Sequence, residues 1–284
     1  MGQNIGGPLL WVLLLAAALT GCAGGGAPDY INEVHLELAG VREVAIAYDW
    51  ENVTVLEGEG DELVLREHMT ADGRRYRAGV EQGDGRIRIS GGTRPLLDRD
   101  FSRSVEICLP AGYGEGLSIT TTDGAIDLTG ADLALRALRC ESTSGTVRIG
   151  RAEAREITLA TTRGTVACGA LRGRVSYTTT SGDLVIESAA GSGDFRAENS
   201  GALEVAYVQV DGALSLYNKN GDIALTIPAD LEFTFEAGSK NGTVTTTFQD
   251  CLAARDGVYA GRVGAAPAVS VHVEARNGNI RVTR

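Results

Sequence analysis

Aromatic side chains make up only 5% of this 284-residue sequence, so its core must rest on small and β-branched residues. Beyond residue 22 there are four cysteines, at 108, 140, 168 and 251, with no CxxC and no regular spacing, which argues against a metal site. The three histidines, His35, His68 and His272, lie far apart and form neither HExxH nor an i,i+4 pair, so zinc is not expected either. Lys and Arg total 26 against 37 Asp and Glu, a formal charge of −11. Nucleic acid is therefore not an expected partner, because phosphate binding needs clustered cations. The longest apolar run, Leu9 to Leu19, is short of the roughly 20 residues a helix needs to cross a hydrocarbon core.

What is present begins with that run, "LLWVLLLAAAL", followed at once by "TGC". A removed export signal over residues 1–21 is the reading that fits its length. The quartet Leu19-Thr20-Gly21-Cys22 resembles the lipobox of bacterial lipoproteins, and the resemblance implies a diacylglycerol on Cys22 and cleavage before it. The segment departs from an ordinary signal in having no Lys or Arg ahead of the apolar run. Residues 22–29, "CAGGGAPD", have the composition of a flexible tether. Two or more acyl chains would give stable attachment, so membrane contact through a lipid anchor is expected, with the body in water. Ala23 after the cysteine favours the outer membrane if the host has two.

From residue 115 a unit recurs. Aligned on glycine, it reads "TTTDGAIDL", "STSGTVRI", "TTRGTVAC", "TTTSGDLVI", "ENSGALEV", "NKNGDIAL", "SKNGTVTT" and "RNGNIRV". The first seven glycines, from Gly124 to Gly242, are spaced by 21, 19, 18, 19, 20 and 21 residues, a period that signals a solenoid. Apolar residues stand two and four places after the glycine, as in Ile126 and Leu128, and a second alternating run precedes it, as in Leu138 and Cys140. Period two on both sides of a polar corner means two short strands per coil. The glycine and its preceding Asp, Ser or Asn are residues suited to left-handed backbone angles. About four inward apolar side chains contribute roughly 1.5–3 kcal/mol each, against some 20–40 kcal/mol of backbone entropy for about 20 residues. A single coil cannot fold, and stability must belong to the stack.

The expected fold is all-β: a parallel β-solenoid of about eight coils of about 20 residues over 115–284, preceded at 30–114 by a β region that leads into the stack and caps it. The gap of 36 residues between Gly242 and Gly278 holds an apparent insertion, about residues 249–267, looping out of the stack. At the carboxyl end Arg281 and Arg284 are placed to blunt an open sheet edge.

The repeated (S/N)G(D/T)(I/V) unit, the "VEICLPAG" step before it and the closing "NGNIRV" resemble the bacterial adhesin-like domains of unknown function, over about residues 40–284. The resemblance implies a β-solenoid of the cell envelope with no established enzymatic activity.

Candidate chemistry is sparse. Asp123, Asp127, Asp183 and Asp222 lie near the corners, but the sequence supplies no paired carboxylates across a cleft such as a glycosidase needs. "EGEGDE" at 57–62 and "EQGDG" at 81–85 are acidic yet match no calcium loop. Two places before the glycine stand Thr122, Thr143, Thr162 and Thr180, then Asn199, Lys219, Lys240 and Arg276. The regular double threonine row of an ice-binding face fails, because the residues two places earlier are Thr120, Glu141, Ala160 and Thr178. The change to cations leaves Lys219, Lys240 and Arg276 as a basic strip and a candidate docking face for a glycan or envelope protein. Cys140 and Cys168 fall at inward positions as small buried hydrophobes, while Cys108 and Cys251 are the candidates to pair in an oxidising envelope. No catalytic residue, cofactor or metal is expected. The expected function is a non-enzymatic, lipid-anchored envelope protein acting as adhesin or scaffold, with a stress-sensing or regulatory lipoprotein that binds a partner or cell-wall fragment as the alternative; a glycan-active enzyme is the third reading, disfavoured by the missing catalytic cluster.

Overall fold

A computed structural model describes residues 30–95, 100–248 and 252–284. Those residues form twenty strands and no helix, joined in one hydrogen-bonded network. No helix among them is long and apolar enough to cross a membrane. The proposed lipid site Cys22 lies outside the described residues.

The centre of the molecule is a parallel stack of β9 (Ile126–Ser142), β10 (Val147–Thr161), β11 (Val166–Thr179), β12 (Leu184–Ala197) and β13 (Leu203–Asn220). The two strands expected per coil run on as one long strand between successive glycines. Equivalent residues pair, so that Ile126, Val147, Val166, Leu184 and Leu203 form one inward ladder. Alternation of buried and exposed residues along each strand follows from the two-residue period, and the buried half joins one core running from Leu36 to Val282. Cys140 and Cys168 lie in that core; burial pushes the Cys168 thiol up to about 12, and the same desolvation raises Cys140. Neither is a reactive thiolate at neutral pH.

Both ends of the stack depart from sequence order. At the amino-terminal end β2 (Glu43–Tyr48) and β3 (Val53–Gly58) form a coil of their own. It lies between β6 (Arg86–Ser90) and β7 (Arg103–Pro110) on one side and β8 (Gly116–Thr121) and β9 on the other. At the carboxyl end β19 (Val269–Asn277) and β20 (Ile280–Thr283) slide between β13 with β14 (Ile223–Thr226) and β15 (Phe233–Ser239) with β16 (Val244–Thr246). The expectation that Arg281 and Arg284 blunt an open edge is thereby overturned: the last strand pairs on both sides.

Antiparallel strands close each end instead. β5 (Gly79–Gly83) pairs with β6, while β1 (Tyr30–Glu37) pairs with β4 (Glu62–Met69), which pairs with β7. Across the molecule, the segment expected to loop out contains the hairpin β17 (Leu252–Arg255) and β18 (Val258–Val263), and β18 pairs with the outer edge of β15. Both hairpins turn on Asp-Gly. Asp84 and Gly85 have φ of 53° and 73°, and Asp256 and Gly257 have 52° and 79°, the positive pair a tight hairpin turn needs. The acidic stretch at 81–85 is thus the end of β5 and its hairpin turn. Covering a sheet edge in this way removes a template for aggregation.

Candidate interaction surface

The corners stack more tightly than turn propensity requires. A Cβ built on Gly145 would lie 2.0 Å from the carbonyl oxygen of Gly124, and the same clash recurs from Gly164 to Gly145 and from Gly182 to Gly164 at 2.1 Å. The ladder continues through Gly201, Gly221, Gly278 and Gly242, in that spatial order. Of these glycines only Gly201 has a positive φ, at 124°. Close backbone approach, rather than the expected left-handed angle, is what demands glycine here.

Polar side chains lock the corner from both sides. Three residues before the glycine, on the buried side, Thr121 donates to the Gly124 carbonyl at 2.7 Å, Ser142 and Thr179 accept the Gly145 and Gly182 amides at 2.8 and 2.7 Å, and Asn218 donates to the Gly201 carbonyl at 2.6 Å. On the outer side an asparagine chain links Asn199, Asn220, Asn277 and Asn241 across four coils. The corner carboxylates serve the same purpose. Asp183 accepts the amide of Ala202 at 2.8 Å, Asp222 that of Asn279 at 2.7 Å, Asp127 that of Thr129 at 2.9 Å, and Asp123 pairs with Ser144. The first three are backbone caps in the next coil or the same turn and the fourth is a side-chain link to the next coil, and none is a reacting pair.

The three predicted cations come together. Because the last coil lies between its predecessors, Arg276 stands between Lys219 and Lys240, giving a row of Thr122, Thr143, Thr162, Thr180, Lys219, Arg276 and Lys240 interrupted once. The interruption corrects one position: a one-residue shift puts Glu198, ion-paired with Arg196, beside Lys219, and Asn199 drops into the asparagine chain. Lys219 and Lys240 are the only lysines in the sequence. Lys219 is half-buried, Arg276 and Lys240 are exposed, and none makes an ion pair among the described residues. The row begins at Asp49, whose Oδ1 accepts the Thr122 hydroxyl at 3.1 Å, so it passes from acidic through neutral to basic.

The histidines stay apart in role. His35 bridges Glu33 and Glu62 at 2.9 and 3.1 Å, His68 faces Glu106 at 3.3 Å, and His272 lies 4.0 Å from Glu236. Among the described residues no group of three or more His, Cys, Asp or Glu is placed to hold a metal ion. Cys108 is a buried thiol 3.6 Å from an Arg66 nitrogen, and its candidate partner Cys251 lies outside the described residues.

One cluster was missed by sequence reasoning. Buried Arg103 donates to Glu51 at 2.9 Å and to the carbonyl oxygens of Gly92, at 3.0 Å, and Tyr76. Its Nε lies 3.8 Å from Glu67, which also accepts from Asn32 at 2.9 Å, Tyr48 at 3.1 Å and the Ala78 amide at 2.7 Å. Burial, with the Glu67 carboxylate beside it, raises the Tyr48 hydroxyl far above the ordinary tyrosine range. The signal lay in "AYDWENV": Tyr48 pairs with Thr121 and Val53 with Ile126, so Glu51 stands where every later coil has glycine.

Residues 41–283 match the Toastrack DUF4097 family, and the chain belongs to it. A search of curated proteins finds no match. Among solved structures, the chain is similar to an adhesin-like protein of Bacteroides fragilis at 13% identity and a TM-score of 0.41, over 89% of this chain and 97% of that one. An adhesin-like protein of Parabacteroides distasonis matches at 12% identity and 0.39, over 88% and 96%. A protein of Clostridium sporogenes named for cell adhesion matches at 11% and 0.32, over 89% and 98%.

Proposed function

We propose, taking a Toastrack-family solenoid as the premise, that the protein is a non-enzymatic component of the bacterial cell envelope, anchored by lipid at Cys22, that uses its rigid corner face for adhesion or scaffolding. The observation that carries this reading is the corner row. The inner Thr121, Ser142 and Thr179 hydroxyls, the asparagine amides and the corner carboxylates are engaged in holding the coils and their turns, which supports a passive, rigid surface rather than a reacting one. The cationic groups of that row are Lys219, Arg276 and Lys240, adjacent and without an ion pair among the described residues, on a chain of net charge −11. An isolated cationic strip on an acidic body favours an anionic glycan or acidic envelope partner and repels other polyanions from the rest of the surface.

Protease digestion of intact cells, with a periplasmic protein as leakage control, tests the placement. Digestion of the domain while the control survives supports adhesion at the cell surface; protection until lysis leaves the scaffold reading and removes adhesion. Cys22→Ser is expected to release the protein from the membrane fraction, and retention would refute the lipid anchor. Acetylation of the two lysines is expected to abolish binding to an anionic polymer such as polygalacturonate, and unchanged binding would refute the basic strip.

A further inference from the structure

A cleft of about 610 Å³ opens where the corner row ends at its amino-terminal side, beyond the site used above. Among the described residues its lining includes Tyr48, Asp49, Trp50, Glu51, Arg94 and Arg103, with residues 90–93 on one side and the first threonine of the row, Thr122, on the other. Trp50 at its rim is 58% exposed, more than any other large aromatic among the described residues. Nothing about folding calls for an indole in water at this point.

The turn that carries Trp50 is held rigidly. The Asp49 carbonyl accepts the amides of Thr122, Asp123 and Gly124 at 3.0, 2.7 and 3.3 Å. The Trp50 amide donates to Glu51 at 3.2 Å, and Glu51 is itself fixed by Arg103 at 2.9 Å. An aromatic face presented on a fixed backbone is a preorganised contact, costing little entropy when it is covered.

The polar groups beside it balance in charge. Asp49 and Glu51 face Arg94 and Arg103, two of each sign, and the two buried members neutralise one another. Arg94 spends one nitrogen on the Phe101 carbonyl at 2.9 Å and has another 3.9 Å from Glu51. Asp49 is an exposed residue that engages Thr122 through Oδ1. A flat apolar face flanked by one carboxylate and one guanidinium, without net charge, matches a pyranose ring. Such a ring offers a C–H face to an indole and vicinal hydroxyls that both donate and accept. The cleft volume falls within the usual range for a small-molecule site, about 300–1,000 Å³.

We propose that this cleft binds a neutral saccharide, with one pyranose ring stacked on Trp50 and its hydroxyls held by Asp49 and Arg94. Glu67 takes no part, since its oxygens are taken by Asn32, Tyr48 and the Ala78 amide. The site is one of recognition, and it does not depend on the cationic strip at the opposite end of the row.

The sequence holds two tryptophans, Trp11 and Trp50. In a full-length Trp11→Phe background Trp50 is the sole indole reporter. Titration with cellotriose, maltotriose and chitotriose is expected to give a saturable change in its fluorescence with at least one sugar. Calorimetry of Trp50→Ala is expected to show at least about tenfold weaker binding of that sugar, with an unchanged melting curve, and Trp50→Phe to retain weakened binding. The Lys219→Ala, Lys240→Ala, Arg276→Ala triple variant is expected to bind it as the unaltered chain does. No response from any of the three at about 10 mM, undiminished binding by Trp50→Ala, or binding of trigalacturonate alone would overturn the proposal.

Discussion

The same corner is built in two ways. In the middle of the stack it is a threonine or serine, a polar residue and a glycine with no room for a Cβ; at the amino-terminal end it is Tyr48, Asp49, Trp50 and Glu51. The difference is one of neighbours. A middle corner has another corner above and below it, so any side chain at the glycine position meets a carbonyl oxygen about 2 Å away. Glu51 has a copy on one side only, and its side chain fills the space where the next corner would lie, against Arg103. Repetition purchases rigidity by excluding side-chain chemistry, and chemistry returns where the repetition stops.

The comparison can be broken most severely by removing the inserted coil. Deleting residues 268–284 takes out the buried Val271, Val273, Ala275, Ile280 and Val282 and separates β13 and β14 from β15 and β16. A loss on the order of 5–10 kcal/mol is expected from burial alone, read as hydrogen-exchange protection that vanishes beyond about residue 203 while β8 to β11 keep theirs. Gly164→Val comes next. With a Cβ 2.1 Å from the Gly145 carbonyl it is expected to destabilise by at least about 4 kcal/mol in denaturant titration, or to prevent folding, because both partners are backbone.

Glu51→Gln tests the end corner by keeping shape and removing charge. Arg103 is left short of its partner, and a loss of about 3 kcal/mol is expected by chemical denaturation. The smallest effect lies at the outer cap, where His35 is raised above its ordinary 6.5, first by its hydrogen bond to Glu33. A raised folded-state value adds stability that is fully present below 6.5 and is lost as pH rises through the folded value. Solvent screening at this half-exposed pair limits it to a few tenths of a kcal/mol. Melting temperature against pH should fall slightly more steeply across that range in the unaltered chain than in His35→Gln.

How far the sequence could be read depended on repetition. The inward ladder of Ile126, Val147, Val166, Leu184 and Leu203 was legible because burial of alternate residues imposes period two, and stacking imposes the period near 20. Lys219, Lys240 and Arg276 were legible as one row for the same reason, since aligned positions become neighbours. Glu51, Glu67 and Arg103 were not, because nothing periodic relates residues in a turn, in β4 and in β7.

By itself the sequence determined the solenoid, its coil length and which side chains face in. Tertiary structure alone decided the order of the coils at each end, the closing hairpins, the reason for the glycines and the charged corner around Arg103. The physical reason is that each coil offers nearly the same apolar ladder and the same hydrogen-bonding edge. Such edges specify that coils stack, while which coil meets which is settled by the contacts of the assembled fold.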